Sequence, residues 1–268
     1  MLDLRNKTAV ITGGASGIGL ATARLLASEG VRLLLTDVEH NALTAATSEL
    51  HAIGVVADVS NYADMQSLAN TAFDELGHVD IVFNNAGVAV GGPISEMTHE
   101  DWKWIIDVDL WGPIHGVEVF LPRMIEQGRG GHIAFTSSFA GLVPNIGLGP
   151  YCVAKYGVVA LAEVLHKELR AHDIGVSVLC PMRVSTNIGS SERNRPTELG
   201  GPESSPRVPD QSEDNPDQAG AVIPVEDVAR MVVNAMKTNE LYVLPHHESR
   251  QYVQRRFSRI DRSYDSNI

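Results

Sequence analysis

The sequence has few of the features that mark metal-binding, secreted, membrane or nucleic-acid-binding proteins. Its 268 residues include two cysteines, Cys152 and Cys180, too few for a disulfide framework or a cysteine-based metal site. The formal net charge of −12 disfavours binding to nucleic acid and to anionic membranes. No apolar run is long enough to cross a bilayer, and a first strand at Lys7 leaves no room for a signal peptide. We therefore expect a cytoplasmic protein without a metal and with neither nucleic acid nor a membrane as partner.

What the chain does contain is a regular alternation of strand-like and helix-like segments. Short apolar runs recur, and each is followed by a helical pattern of apolar residues. This alternation predicts an α/β protein with a single doubly wound parallel sheet, a Rossmann fold, and helices on both faces. With 44% hydrophobic residues, the chain fits one domain over residues 1–268. The predicted strands are residues 7–12, 31–36, 53–57, 80–83, 132–136, 175–179 and 241–244.

A glycine-rich turn lies between the first predicted strand and the first predicted helix. Gly13, Gly17 and Gly19 follow the strand, and the helical pattern ends at Gly30. A strand, glycine turn and helix in this order bring a pyrophosphate close to helix N–H groups and to the positive end of the helix dipole. The spacing G-x-x-x-G-x-G differs from the common G-x-G-x-x-G, and a glycine run can also be a plain loop.

An aspartate ends the second predicted strand. Asp37 follows Gly19 by eighteen residues, which is where a carboxylate can accept hydrogen bonds from a ribose 2′-hydroxyl and repel a 2′-phosphate. No arginine or lysine stands at position 38 or in the glycine turn to hold that phosphate. The pattern favours NAD over NADP. The alternative is that Asp37 only caps the following turn.

A set of three residues later in the chain, Ser138, Tyr151 and Lys155, suggests proton transfer. Lys155 follows Tyr151 by four residues, so the two share one face of a helix. An ammonium beside a phenol favours the phenolate and lowers the tyrosine pKa from its usual value of about 10. Ser138 ends a strand-like run, from which its hydroxyl could face the same substrate oxygen. Tyr-x-x-x-Lys alone is common by chance, and the triplet gains weight from the nucleotide motifs before it.

These motifs, in this order and spacing, resemble the classical short-chain dehydrogenase/reductase family over roughly residues 5–188 and 222–260. The turn at 12–19 resembles the cofactor turn of the family, and Asp58-Val59 the pair that contacts adenine. Residues 84–87, Asn-Asn-Ala-Gly, match the motif beside the cofactor, and residues 180–186 match the segment that meets the nicotinamide. The resemblance implies NAD binding by Gly13, Ser16, Gly17, Ile18, Gly19, Asp37, Asp58, Val59, Asn85, Ala86, Gly87, Tyr151, Lys155, Pro181, Val184 and Thr186.

The resemblance also implies the catalytic roles. Tyr151 would be the acid–base, and Ser138 would hydrogen-bond the substrate oxygen and stabilise charge on it. Lys155 would lower the tyrosine pKa, bind the ribose hydroxyls and begin a proton path to solvent. The implied reaction moves hydride between a nicotinamide and a secondary alcohol or its ketone.

One position departs from the family pattern. Asp109 stands where the family has a catalytic asparagine, within Ile-Asp-Val-Asp-Leu-Trp-Gly at residues 106–112. The aspartate keeps the backbone carbonyl but loses the amide donors and can bring a negative charge. We expect activity with a shifted pH profile. Two alternatives stay open: a neutral replacement in which only shape matters, and a catalytically weak NAD(H)-binding sensor or regulatory protein.

The substrate end of the sequence is less specific. Residues 187–222 form a long loop rich in Pro, Ser, Gly and acids, which we expect to cover the substrate near Ile188 and to be mobile around 200–219. Met182 replaces a glycine found in many relatives. The candidate substrate residues are Phe139, Val143, Ile146, Met182 and Ile188, with Val88, Val90, Leu142 and Leu148 as further apolar candidates.

These apolar side chains predict a bulky, hydrophobic secondary alcohol or ketone, unless they only pack the core. Residues 185–196 resemble those of family members that oxidise aryl side-chain alcohols, and steroid or terpenoid alcohols are the alternatives. The helix from Tyr151 to Arg170 resembles the one that faces a second subunit in the family, which implies a homodimer or homotetramer. A basic amphipathic helix is predicted at 249–262, and we interpret His246-His247 as part of a surface loop.

Overall fold

The computed structural model of the protein describes residues 3–202 and 220–265. Its centre is a seven-stranded sheet in which every neighbouring pair of strands is parallel. The strand order is β3-β2-β1-β4-β5-β6-β7. The predicted α/β fold with a doubly wound parallel sheet is therefore confirmed. The strands are β1 (Thr8–Thr12), β2 (Arg32–Asp37), β3 (Ile53–Val56), β4 (Ile81–Asn84), β5 (Gly131–Thr136), β6 (Ile174–Leu179) and β7 (Tyr242–Val243).

Helices cover both faces of this sheet. Between α4 and α5 the helix passes without a break through one π-helical turn, Asp107–Trp111. No helix within the described ranges is both long enough and apolar enough to cross a membrane. The helices are α1 (Gly17–Ser28), α2 (His40–Leu50), α3 (Tyr62–Leu76), α4 (His99–Ile106), α5 (Gly112–Glu126), α6 (Gly149–Glu168), α7 (Val225–Thr238) and α8 (Ser249–Asp265).

The sheet divides the apolar interior into two cores. All five residues of β1 are buried, and successive side chains of a strand point to opposite faces. Val10 accordingly packs in the core on one side, whereas Ala9 and Ile11 pack in the core on the other. A strand buried on both faces reads as a continuous apolar run, which is why the sequence pattern of β1 was readable.

The direction of winding reverses at β1, which pairs with β2 on one side and with β4 on the other. In open parallel sheets, ligands bind in the crevice that such a reversal leaves beyond the carboxyl ends of the strands. The glycine turn follows β1, Asp37 ends β2, and Asn85 follows β4. The fold thus brings these three parts of the sequence to one crevice.

The long loop predicted at 187–222 is described in part. Residues 188–194 and 197–199 form short 3₁₀ turns. Residues 203–219, which hold most of the segment predicted to be mobile, lie outside the described residues. We call residues 187–202 the covering segment below.

A buried histidine between β5 and β6 makes the stability of the fold sensitive to acid. The Nε2–H of His132 donates to Ser177 Oγ at 2.9 Å, and that hydroxyl donates to Glu240 O at 2.6 Å. Burial lowers the pKa of His132 from 6.5 to about 3, with a smaller effect from His166.

The unfolded chain therefore binds one more proton than the folded chain between these two values, and stability falls as the pH drops below 6.5. Because of His132, we expect the unfolding free energy to be about 2 kcal/mol lower at pH 5 than at pH 8. Urea unfolding at the two pH values measures it. The His132→Gln variant should lack this component, and an identical pH dependence in the variant would contradict the assignment.

Candidate active site

The glycine turn after β1 packs tightly against the loop after β4. Gly13 has a φ of +61°, and a Cβ there would lie 2.9 Å from Ala86 Cα. A Cβ on Gly19 would lie 2.2 Å from Gly13 O. Gly17 has a φ of +51°, which favours glycine. At these three positions a side chain would be strained or would collide with backbone.

Asn85 and two threonines fasten this turn to its neighbours. The Asn85 amide donates to Thr12 O at 3.1 Å and to Gly13 O at 3.2 Å. The Thr12 hydroxyl accepts the N–H groups of Asn85 and Ala86, and the Thr136 hydroxyl donates to Asn85 Oδ1 at 2.9 Å. The sequence motifs indicated Asn85 but gave no sign that Thr12 and Thr136 would hold it.

Asp37 both stabilises a turn and faces the crevice. Its carboxylate accepts the N–H of Ala15 at 3.2 Å and the N–H of Glu39 at 3.1 Å. Burial raises the pKa of the Asp37 carboxyl, and these hydrogen bonds oppose the effect. The turn-capping alternative and the cofactor-binding interpretation are therefore compatible at this residue.

One cavity brings together most of the residues that the sequence motifs selected. It runs from the end of β2, past the glycine turn, to α6 and the covering segment. The predicted site residues Gly19, Ser138, Pro181 and Val184 are not part of its wall, although Thr186 is. The site residues predicted from the sequence that line this cavity are Gly13, Ser16, Gly17, Ile18, Asp37, Asp58, Val59, Asn85, Ala86, Gly87, Tyr151, Lys155, Thr186 and Ile188.

Tyr151 and Lys155 lie on α6, and both side chains are buried. The Lys155 ammonium is 5.3 Å from the centre of the Tyr151 ring and donates to Thr136 O at 3.2 Å. Ser138 follows β5, where its hydroxyl accepts the N–H of Ala140 at 3.1 Å and makes a long contact of 3.5 Å with Pro181 O. Such a weak contact leaves the hydroxyl free to reorient.

Asp109 lies in the π-helical turn and pairs directly with Lys155. Its Oδ2 is 3.2 Å from Lys155 Nζ, and its Oδ1 accepts the N–H of Val88 at 2.8 Å. Both charged groups are almost fully buried. Burial raises the pKa of the Asp109 carboxyl, whereas the charge of Lys155 lowers it. The net effect is a raised pKa, with burial as its main cause. Lys155 and the Val88 N–H nevertheless supply the cation and the hydrogen-bond donor that a buried carboxylate requires, and on this geometry we assign Asp109 the charged form.

The structure places the predicted substrate residues in three different environments. Ile188 lines the cavity. Phe139, Val143 and Met182 instead form a small apolar cluster under α8, and Ile146 is 57% exposed. The other apolar candidates also divide: Val88 lines the cavity, Leu142 packs against the cluster, and Val90 and Leu148 are buried in one of the two cores.

Several cavity residues and one buried histidine were missed by the sequence interpretation. The missed cavity residues include Trp104 of α4, Val108 of the π-helical turn and Glu39. His246 is only 2% exposed, so the prediction of a surface loop at His246 was wrong. Its Nδ1 accepts the N–H of Met182, and its Nε2–H points to Arg183 O and Ala221 O. His246 therefore supports the segment that follows Pro181.

The covering segment is fastened to the rest of the fold by polar side chains. Arg195 and Asp101 form a buried ion pair of 2.7 Å, with the guanidinium over the Trp104 ring. The Ser191 hydroxyl accepts the N–H of Ala89 at 2.9 Å and donates to its carbonyl at 3.2 Å. The segment thereby closes one side of the cavity.

The arrangement suits proton transfer beside a nucleotide. Among the described residues, no group of three or more His, Cys, Asp or Glu side chains could hold a metal ion. A tyrosine and a lysine lie at one end of the cavity, and a carboxylate at the end of β2 lies at the other. The family model described as short chain dehydrogenase matches residues 7–197.

The chain belongs to the classical short-chain dehydrogenase/reductase family. Its relatives include a 1-deoxy-11-beta-hydroxypentalenate dehydrogenase from Streptomyces avermitilis, 40% identical over 192 residues, which are 69% of this chain and 71% of that protein. A C alpha-dehydrogenase from Sphingobium sp. is 34% identical over 271 residues, 97% of this chain and 87% of that one.

A solved structure agrees over almost the whole chain. The crystal structure of a short chain dehydrogenase/reductase from Burkholderia phymatum in complex with NAD has a TM-score of 0.91 and 36% identity, covering 98% of this chain and 97% of that one. The predicted family is thus confirmed. The protein is a short-chain dehydrogenase/reductase that acts as an alcohol or ketone oxidoreductase on a small molecule.

Proposed function

We propose that this short-chain dehydrogenase/reductase uses NAD to interconvert a bulky hydrophobic secondary alcohol and its ketone, with Tyr151 as the acid–base. The observation that supports this most is the shared cavity: Tyr151 and Lys155 open onto the same space as the glycine turn and Asp37. Proton transfer and dinucleotide binding thus meet in one place.

The residues of the cavity suit a dinucleotide. The first turn of α1 follows Ser16, whose side chain makes no capping hydrogen bond, so the helix N–H groups can face a pyrophosphate. Gly17 leaves room for a close approach of that group, and Asp37 would accept the ribose hydroxyls. When bound, NAD supplies the hydride acceptor and its reduced form the donor.

Side chains of the protein would carry out the proton transfers. Tyr151 would take the hydroxyl proton of the alcohol during oxidation and return it to the ketone oxygen during reduction. Lys155 stabilises negative charge on the tyrosine oxygen. The Ser138 hydroxyl can turn from its long contact with Pro181 O toward the substrate oxygen. Val88, Trp104 and their neighbours would keep water from the reacting carbon.

The choice of NAD over NADP rests on negative charge. Asp37 faces the cavity at the end of β2 and would repel a 2′-phosphate. The Burkholderia phymatum protein, at 36% identity, was crystallised with NAD. Together these support NAD as the cofactor of this chain.

The apolar wall of the cavity supports the substrate class. Val88, Trp104, Val108 and Ile188 contribute to it. Two relatives are a 1-deoxy-11-beta-hydroxypentalenate dehydrogenase and a C alpha-dehydrogenase. These favour terpenoid and aryl side-chain alcohols, with steroid alcohols as a third class.

A spectrophotometric assay tests the proposal. We expect NADH to appear when the protein meets NAD and a panel of aryl side-chain, terpenoid and steroid secondary alcohols. NADP should give a rate at least about tenfold lower, because repulsion between the Asp37 carboxylate and the 2′-phosphate costs about 1.4 kcal/mol or more. Equal rates with both cofactors would contradict the role of Asp37.

The ion pair of Asp109 with Lys155 favours one other candidate, a catalytically weak NAD(H)-binding sensor. By neutralising the lysine, the pair reduces its support for a charged tyrosine. A sensor of this kind would bind NADH but turn over none of the panel, and the Asp109→Asn variant, which removes the countercharge of the lysine, would restore turnover.

We also propose a homodimer or homotetramer in the cytoplasm. Val153 and Val164 of α6 are 52% and 51% exposed in the single chain, which suits burial against a second subunit. Cys152 and Cys180 are buried thiols that form no disulfide, consistent with a reducing compartment. Light scattering of the purified protein distinguishes these assemblies from a monomer.

A further inference from the structure

Glu39 lies at the cavity wall two residues after Asp37, and the covering segment reaches across to it. Arg193 Nη2 donates to Glu39 Oε1 at 2.5 Å, and Asn194 Nδ2 donates to the same oxygen at 2.9 Å. All four of these side chains line the cavity. Two donors from a distant part of the chain thus converge on one carboxylate oxygen, at the end of the cavity where Asp37 would meet the ribose.

The Arg193 guanidinium also donates hydrogen bonds to its own part of the chain. Its Nη1 donates to Ser190 O at 2.8 Å, to Ser190 Oγ at 3.1 Å and to Asn187 O at 3.4 Å. These acceptors belong to the covering segment itself, so they stay in place when Glu39 is changed. The cationic head is therefore prearranged at the cavity edge.

A prearranged guanidinium with an amide donor beside it is the arrangement that binds phosphate oxygens. In this protein the Glu39 carboxylate occupies the position that a phosphate would take. The hydrogen bonds of Asn194 and Arg193 hold the pKa of the Glu39 carboxyl below its usual value, consistent with a charged group. Asp37, which lines the same cavity, carries a carboxyl group as well.

We propose that Glu39 occupies an anion site formed by Arg193 and Asn194, and that it is a second determinant of cofactor choice beside Asp37. An incoming 2′-phosphate would meet two carboxylates and a guanidinium already in use. Without Glu39, the same guanidinium would be available to the 2′-phosphate of NADP. This inference rests on the proposed dinucleotide-binding function.

The test is the ratio of the dissociation constants for NADPH and NADH, measured by isothermal titration calorimetry on the full chain. In Glu39→Ala the ratio should fall about tenfold, the effect of one charge-assisted hydrogen bond to phosphate. In the double variant Glu39→Ala/Arg193→Gln the ratio should return to within about threefold of the original value.

A matched control comes from the same helix region. Glu49 of α2 pairs with Arg24 at 2.6 Å, and both are about half exposed. Neither residue belongs to the cavity wall, so Glu49→Ala removes the same charge without touching the site. Its ratio should equal that of the unmodified protein.

Three results would overturn the inference. An unchanged ratio in Glu39→Ala, with NADH still bound, means that Glu39 does not govern the choice. A fall that persists in the double variant means that simple repulsion acts and that Arg193 holds no phosphate. Binding of neither cofactor by the unmodified protein contradicts the proposed function itself, and this inference with it.

Discussion

Replacing Tyr151 with phenylalanine should lower turnover about a thousandfold while NADH binding stays intact. The change removes the hydroxyl that we propose as the acid–base, and general acid–base catalysis contributes on the order of 10² to 10⁴ in rate. The ring and its packing on α6 remain, so the cavity keeps its shape. Turnover with NAD and NADH binding by calorimetry, measured on the same preparation, check the two halves of this expectation.

Tyr156 provides the matched control for this variant. It lies on the same helix, and its hydroxyl donates to Leu142 O at 2.8 Å, outside the cavity wall. Tyr156→Phe removes one hydrogen bond, at a cost to folding of about 1 kcal/mol, and should leave turnover within about twofold. Equal losses in the two variants would show that the effect of Tyr151→Phe is structural. Full activity in Tyr151→Phe would exclude Tyr151 as the acid–base.

Replacing Asp109 with asparagine should move the pH–rate profile of alcohol oxidation about one unit toward lower pH. In the native protein the carboxylate pairs with Lys155 at 3.2 Å and offsets its charge. The asparagine removes that negative charge, so the ammonium acts on Tyr151 without compensation and favours the phenolate. Because oxidation needs Tyr151 to accept a proton, activity should then rise at lower pH.

The control for Asp109→Asn is a second aspartate of the same π-helical turn. Asp107 is half-buried and pairs with Lys103 at 2.5 Å. Asp107→Asn makes the same chemical change and should leave the profile in place. A profile unchanged by Asp109→Asn would mean that Asp109 carries no charge in the working enzyme, or that only its shape matters. A shift toward higher pH would contradict the direction of the electrostatic argument.

Local patterns explain why the cofactor end of the site was accessible from the sequence. Gly13 and Gly17 adopt positive φ values that favour glycine, and this requirement acts within a few residues of chain. Asp37 is placed by the end of a strand whose apolar run is visible in the sequence. Because the carboxyl ends of parallel strands lie at one edge of the sheet, the proximity of such residues can be predicted without knowledge of side-chain packing.

The polar contacts of the site depend on tertiary structure and leave no local pattern. Glu39 and Arg193 are 154 residues apart, and Asp101 and Arg195 are 94 apart. Nothing near Asp109 in the sequence indicates that its side chain reaches Lys155. A general expectation could have helped: a carboxylate in a segment as apolar as residues 104–111 must find a cation when it is buried.

The substrate wall could not be derived because apolar residue type does not distinguish a core from a pocket. Phe139 follows Ser138 directly, and that position suggested contact with substrate. The side chain is instead fully buried, and its ring meets Tyr252 of α8 edge-on at 6.0 Å. The packing of α8, which is distant in sequence, decides the direction of Phe139.

The helix that runs from α4 through the π-helical turn into α5 links two features that were described separately. Asp101 caps its first turn together with Thr98 and also holds Arg195 of the covering segment. Asp109, eight residues later on the same unbroken helix, holds Lys155. One continuous helix therefore carries both Asp101, the partner of Arg195 in the covering segment, and Asp109, the partner of Lys155. Any shift of that helix would therefore move the partner of Arg195 and the partner of Lys155 together.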